Sequence, residues 1–234
     1  MPTQESMTVF ADRLSREWLP TYCGDLKRNY STAGYRAGSN KVTSQDANDF
    51  LRALDNGVVV DSGGGRYRMP QSKANEVIFW EGSKAKTPRP ITLWMEPVIT
   101  IASVARLHLD YGWPKHCLGM QSAKLEFDLT AFLPQNLEAE HIAGEVKKTV
   151  RELDSLTANL HVLCREGEMD VKMLSQSQTN ARKKLIGLLR SRAPLFWAIG
   201  PGNVSYLFEV SYSSESRISF HEVPIQRLAY PGGA

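Results

Sequence analysis

Four residues in the middle of the chain have side chains suited to one reaction: Glu96, Asp128, Glu145 and Lys147. Three carboxylates offer the hard oxygen donors that a divalent cation prefers, and one ammonium offers positive charge to an attacked phosphate. They occur as Glu96-Pro97, then Leu125-Glu126-Phe127-Asp128-Leu129, then Glu145-Val146-Lys147. That order and spacing suit metal-assisted hydrolysis of a phosphodiester.

An E-x-K triplet alone carries no weight, since any exposed surface supplies one. The surrounding pattern gives it meaning. From Leu125 the sequence alternates with period two: Leu125, Phe127, Leu129 and Ala131 point one way, and Glu126, Asp128 and Thr130 the other. Residues 142–148 read as a second strand, with Glu145 and Lys147 on one face and Ile142, Gly144 and Val146 on the other. The competing reading is one continuous helix over residues 137–160, which would reduce Glu145 and Lys148 to a surface pair. Thr149-Val150-Arg151-Glu152 is a capping-box sequence, so a helix is expected to begin there, with Val150, Leu153, Thr157 and Leu160 buried. Before the strands, Pro97 suits a first helical turn. Val98, Ile101, Ala102, Ala105 and Leu109 then recur at helical spacing up to Gly112 and Pro114. After them come a basic helix over residues 180–192 and two closing strands around Gly200-Pro201-Gly202. Helices interleaved with strands predict an α/β fold, a central mixed sheet flanked by helices.

The first ninety residues read as an N-terminal α+β region. A helix from about Met7 should stop at Pro20. A second should start at Ser44 and end at Gly57. Val58-Val59-Val60 and Tyr67-Arg68-Met69 flank Gly63-Gly64-Gly65 as a short hairpin. Helix plus basic hairpin is similar to a winged-helix fragment, although small α+β caps share the pattern. Thr87-Pro88-Arg89-Pro90 is the linker candidate, dividing a 1–90 recognition region from a 91–234 core.

Over residues 91–212 the chain resembles the PD-(D/E)XK, or restriction-endonuclease-like, nuclease superfamily. The resemblance rests on Asp128 and on Glu145-Val146-Lys147, with Glu96 matching the extra acidic residue many members carry on the preceding helix. Phe127 stands where the motif has proline. The resemblance implies the central mixed sheet, Mg²⁺-dependent phosphodiester hydrolysis with Mn²⁺ as a substitute, and usually a DNA substrate. Asp128 and Glu145 would bind the metal, with the Val146 carbonyl as a further ligand. Lys147 would orient the attacking water or stabilise growing negative charge. Glu96 would hold a second metal or a metal-bound water. A homodimer would let one site per subunit cut both strands.

Other signals are weaker. Arg182, Lys183, Lys184, Arg190 and Arg192 form a run without an acid, either a solvated helix face or a phosphate-backbone contact. Arg66 and Arg68 on the hairpin are further candidates for nucleic-acid contact. The five histidines show no metal-ligand spacing, and the glycine triplet lacks the Gly-Lys-Ser/Thr of a phosphate loop. Three separated cysteines argue against a disulfide framework and fit a cytoplasmic protein. A net charge of +3 permits a nucleic-acid partner without demanding one. No apolar run approaches the ~20 residues of a membrane span. The expectation is therefore a Mg²⁺-dependent nuclease acting on DNA. The alternative is a non-catalytic nucleic-acid-binding or regulatory module on the same fold; a third is an interaction protein without a nucleic-acid partner.

Overall fold

The computed structural model describes residues 4–39, 41–122, 126–166, 174–213 and 217–232; Leu125, expected at the head of a strand, lies outside them. The chain opens with helix α1 (Gln4–Arg13), which runs through a π-helical turn (Leu14–Trp18) into α2 (Leu19–Gly24). Pro20 does not stop the helix. The Leu19 N–H bonds to Leu14 O across the wide turn, which starts a new helical segment and puts Pro20 in its first turn. A missing N–H breaks no ladder bond there.

Helix α3 (Ser44–Asp55) is capped by Thr43 rather than Ser44, the Thr43 hydroxyl accepting the Asp46 N–H at 3.1 Å. Strands β1 (Val60–Asp61), β2 (Arg66–Arg68) and β3 (Glu76–Val77) form a small antiparallel sheet. The glycine triplet turns β1 into β2 with positive φ at all three positions. Strands β4 (Phe79–Glu81) and β5 (Ile91–Leu93) pair antiparallel, so residues 87–90 lie in the connection between two hydrogen-bonded strands. Helix α4 (Met95–Leu109) follows, almost wholly buried, and Gly112 at φ +76° lets the chain turn away.

The main sheet has six strands: β6 (Leu118–Met120), β7 (Leu129–Leu133), β8 (Asn136–Val146), β9 (Leu195–Ile199), β10 (Ser205–Tyr212) and β11 (Ile218–Glu222), ordered 11-10-9-8-7-6. Every neighbouring pair is antiparallel except β8–β9. That parallel pair needs a crossover, supplied by α5 (Val150–Glu166) and α6 (Gln176–Ser191). Residues 142–146 are therefore strand and not part of a long helix, while β8 begins earlier than the sequence pattern suggested. Edge strand β11 had no sequence prediction.

Alternation along β9 distributes the core. Leu195, Trp197 and Ile199 join one cluster with α1–α4, while Phe196 and Ala198 join another with α5 and α6. In α5 the buried stripe is Leu153, Leu156, Leu160 and Leu163; Val150 is exposed. The first cluster unites Phe10, Trp18 and Phe50 with Val98, Leu129 and Trp197, so hydrophobic residues from both sides of position 90 share one core. Among the described residues no helix is long and apolar enough to cross a membrane.

Candidate active site

The site forms where β7 begins and β8 ends. Leu129 stands opposite Gly144, and the fit is tight: a Cβ on Gly144 would come within 2.5 Å of Leu129 Cγ. One residue earlier the ladder changes. The Asp128 N–H donates to Gly144 O at 2.9 Å, while the Asp128 carboxylate accepts the Val146 N–H at 2.8 Å. The side chain thus takes a main-chain donor that a regular strand would have satisfied with a carbonyl. This kink overturns the expected alternation, because Phe127 packs in the α5–α6 cluster whereas Leu129 and Ala131 pack against α4.

Asp128 and Glu145 sit beside each other across the two strands, and their charges interact. Burial first, then the Glu145 charge, pushes the Asp128 carboxyl well above the usual carboxylate range; Lys184 and the Val146 N–H pull it back only in part. Glu145 is only 2% exposed. Lys147 Nζ donates to Glu145 Oε1 at 2.6 Å, and Lys184 Nζ, from α6, lies 2.7 Å from Oε2. The second contact is an ion pair without hydrogen-bond alignment; the Lys184 ammonium donates instead to the Glu126 carbonyl at 2.5 Å. Burial works against the Lys147 charge, but Glu145, Asp128 and Glu96 outweigh it and hold its pKa above the ordinary value.

Glu96 enters from the first turn of α4, where Trp94 Nε1 donates to its Oε2 at 3.2 Å. A fourth acid, Glu76 on β3, had no signal in the sequence, because a two-residue strand offers no pattern. It is 4% exposed, accepts from Gln121 Nε2 at 2.7 Å, and is pushed up to about 7 by burial, with Glu96 adding repulsion. Glu76 in turn raises Asp128. The four carboxylates and two ammoniums are therefore one electrostatic unit.

Two open clefts meet at Lys147 and Asn180. One, of about 630 Å³, is lined by Glu96, Thr149, Arg151 and Ser177; the other, of about 480 Å³, by Glu126, Glu145, Lys183, Lys184 and Arg190. Of the basic candidates, Lys183 and Lys184 line the second cleft, with Lys184 directly on Glu145, whereas Arg182 is not among its walls. Arg66 pairs with Asp25 at 2.8 Å and Arg68 donates to the Ser72 carbonyl at 3.2 Å, so neither hairpin arginine reaches these clefts.

Asp128 and Glu145 are an all-oxygen donor set with adjacent main-chain oxygens, which fits a hard divalent cation in chemical type. Among the described residues, however, no three acids, histidines or cysteines already converge at ligand distance. Glu145 is instead neutralised by the two lysines. Comparison of this chain with family models, curated proteins and solved structures finds no match.

Proposed function

We propose that the protein is a metal-dependent nuclease with the restriction-endonuclease-like arrangement, acting on DNA. The observation that carries the reading is the pairing of Asp128 with Glu145 at the end of β8, with Lys147 two residues beyond and bonded to Glu145 at 2.6 Å. A buried carboxylate pair whose burial and mutual repulsion push Asp128 well above the usual carboxylate range is poorly suited to a merely structural role, since well-packed apolar residues would cost less.

Asp128 and Glu145 would hold Mg²⁺ or Mn²⁺, with Glu96 and the Val146 carbonyl beside them. The bound ion would polarise the phosphate and acidify a coordinated water. Binding it requires Asp128 to lose its proton and Glu145 to exchange at least one ammonium for the metal. A lysine so displaced, Lys147 or Lys184, would stay within the cleft, where its charge could face the phosphate oxygens. Arg190 and Lys183 extend the positive wall along α6.

The test is cleavage of labelled DNA by purified protein with Mg²⁺ or Mn²⁺. EDTA should abolish it. Asp128→Asn and Lys147→Met should each lower the rate at least about a hundredfold while leaving the circular dichroism spectrum unchanged. Full activity in both variants would refute the assignment. One observation favours the non-catalytic alternative: both oxygens of Glu145 are already engaged by lysines. That reading predicts salt-dependent DNA binding that persists in EDTA and in Asp128→Asn, with no cleavage under any metal.

A further inference from the structure

Two tryptophans stand on the surface beside the site. Trp80 is 57% exposed and Trp94 36%, and among the described large hydrophobic residues of comparable exposure the others are aliphatic. Trp80 pairs with Thr92 across β4–β5, which makes Trp94 its diagonal neighbour. Their rings meet edge to face at 5.3 Å between centroids. A tryptophan exposes much apolar area, and two together form a patch that packing alone does not require.

The pair is held in place from beneath. Next to Trp80, Glu81 accepts from the Tyr22 hydroxyl at 2.5 Å and Arg28 Nε at 3.0 Å, and forms an ion pair with Arg89 at 2.9 Å. Trp94 is fixed by its main-chain N–H to Ile78 O at 2.7 Å and by its indole N–H to Glu96. The indole N–H of Trp94 is thus spent on a proposed catalytic acid, while both side chains keep exposed apolar surface. The connection from Gly82 to Pro90 contains no acid, and its Lys84 and Lys86 are exposed without a carboxylate partner among the described residues. Exposed indoles on a hairpin whose connection carries free cations suit an unpaired nucleotide, whose base can stack while its phosphate meets an ammonium.

We infer that Trp80 and Trp94 form a stacking platform for an unpaired base, and that the substrate delivered to Glu96, Asp128, Glu145 and Lys147 is single-stranded nucleic acid. Its catalytic part rests on the nuclease reading above. A duplex keeps its bases stacked internally and has none to offer the platform, so the preference for single strands follows from the surface itself.

Fluorescence anisotropy in EDTA, with a labelled single-stranded DNA, the same sequence as RNA, and the DNA duplex, provides the test. The wild-type protein should bind at least one single strand about tenfold or more tightly than the duplex, with quenching of its tryptophan emission. Trp80→Ala and Trp94→Ala should each weaken single-strand binding about tenfold and reduce the quench, leaving duplex affinity unchanged; Trp94→Phe should restore most of the binding. Trp80 is on the surface, so its loss leaves the fold as a control. Equal wild-type affinity for single strand and duplex, or unchanged single-strand affinity in both alanine variants, overturns the platform. So does an absence of oligonucleotide binding with self-association that depends on Trp80. Platform binding without cleavage in Mg²⁺ would sink the nuclease reading alone; cleavage with alanine variants that bind like wild type would sink the platform alone.

Discussion

Burial pushes both Glu140 and Asp128 above the ordinary carboxylate value, but only Asp128 stands against another acid of the site. Glu140, on β8 beneath the end of α6, is 9% exposed, and burial raises it from 4.5 to about 7. A bond from Ser191 lowers it and Glu126 raises it by lesser amounts. Because the folded pKa lies above the unfolded one, Glu140 contributes stability that is fully present below its unfolded value and is lost as pH rises through about 7. Between roughly pH 4 and pH 8 that loss is on the order of 2–3 kcal/mol. Glu140→Gln removes the titration while keeping size and hydrogen bonding. Urea midpoints should therefore fall less steeply with pH in the variant than in the wild type, with the variant the more stable at pH 8. Parallel pH profiles for the two proteins would show that Glu140 titrates normally in the fold. Asp128 has the same sign, but there the proton sits on a proposed metal ligand, so a bound cation would oppose it. The sequence displayed Asp128 and Glu145 as a face-matched pair. It could not display the lysine on Glu145 from α6, which is distant along the chain and became adjacent only through the β8–β9 crossover.

At the scale of elements, α3 and α4 are joined through a buried charge. Arg106, 3% exposed on α4, lies 3.4 Å from Asp49 and 3.9 Å from Asp46, both on α3 and fully buried. Asp46 also accepts the Gly202 N–H at 2.7 Å, and Arg106 donates to Asn203, so the turn after β9 is tied into the same cluster. Replacing Arg106 by leucine would leave Asp46 without a counter-charge and Asp49 with Arg52 alone, at 3.0 Å. The expected loss is about 3–5 kcal/mol in chemical denaturation, partly recovered by adding Asp49→Asn. A loss under about 1 kcal/mol would mean that water or proton uptake compensates the two acids. None of this was visible in the sequence, where nothing in the spacing of Asp46, Asp49 and Arg106 marks a buried cluster. Local signals fared better. Gly57 and Gly112 ended helices as their positive φ permits, and Thr149 capped α5, accepting the Glu152 N–H at 3.2 Å. Failures came where one bond type replaced another: the π turn that absorbed Pro20, and the Asp128 carboxylate that took a strand's N–H and reversed Phe127.

For the whole molecule, the sequence suggested a division at residue 90, yet the contacts across that point are extensive. Strand β5 pairs with β4 and is bridged at Ile91 by Tyr35, and α4 lies against α3. The edge of β6 is covered by the N-terminal region too: Gln71 and Lys73 donate main-chain N–H bonds to Leu118 and Gln121 at 3.1 Å each, and the Ser72 hydroxyl accepts the Met120 N–H at 2.8 Å. A fragment comprising residues 91–234 would lose these bonds, bare the α4 face carrying Val98, Ile101 and Ala105, and leave Arg106 as a buried charge without its two acids. It would also lose Glu76, and with it part of the electrostatic setting of Asp128. The fragment should accordingly bind a hydrophobic dye, lack near-ultraviolet circular dichroism, and show no metal-dependent activity. In the full chain, far-ultraviolet dichroism and tryptophan emission should report one coincident urea transition, since Trp18 and Trp197 belong to the same cluster. Two separated transitions, or a fragment that folds cooperatively by itself, would mean that the shared core is an interface between two independently stable domains.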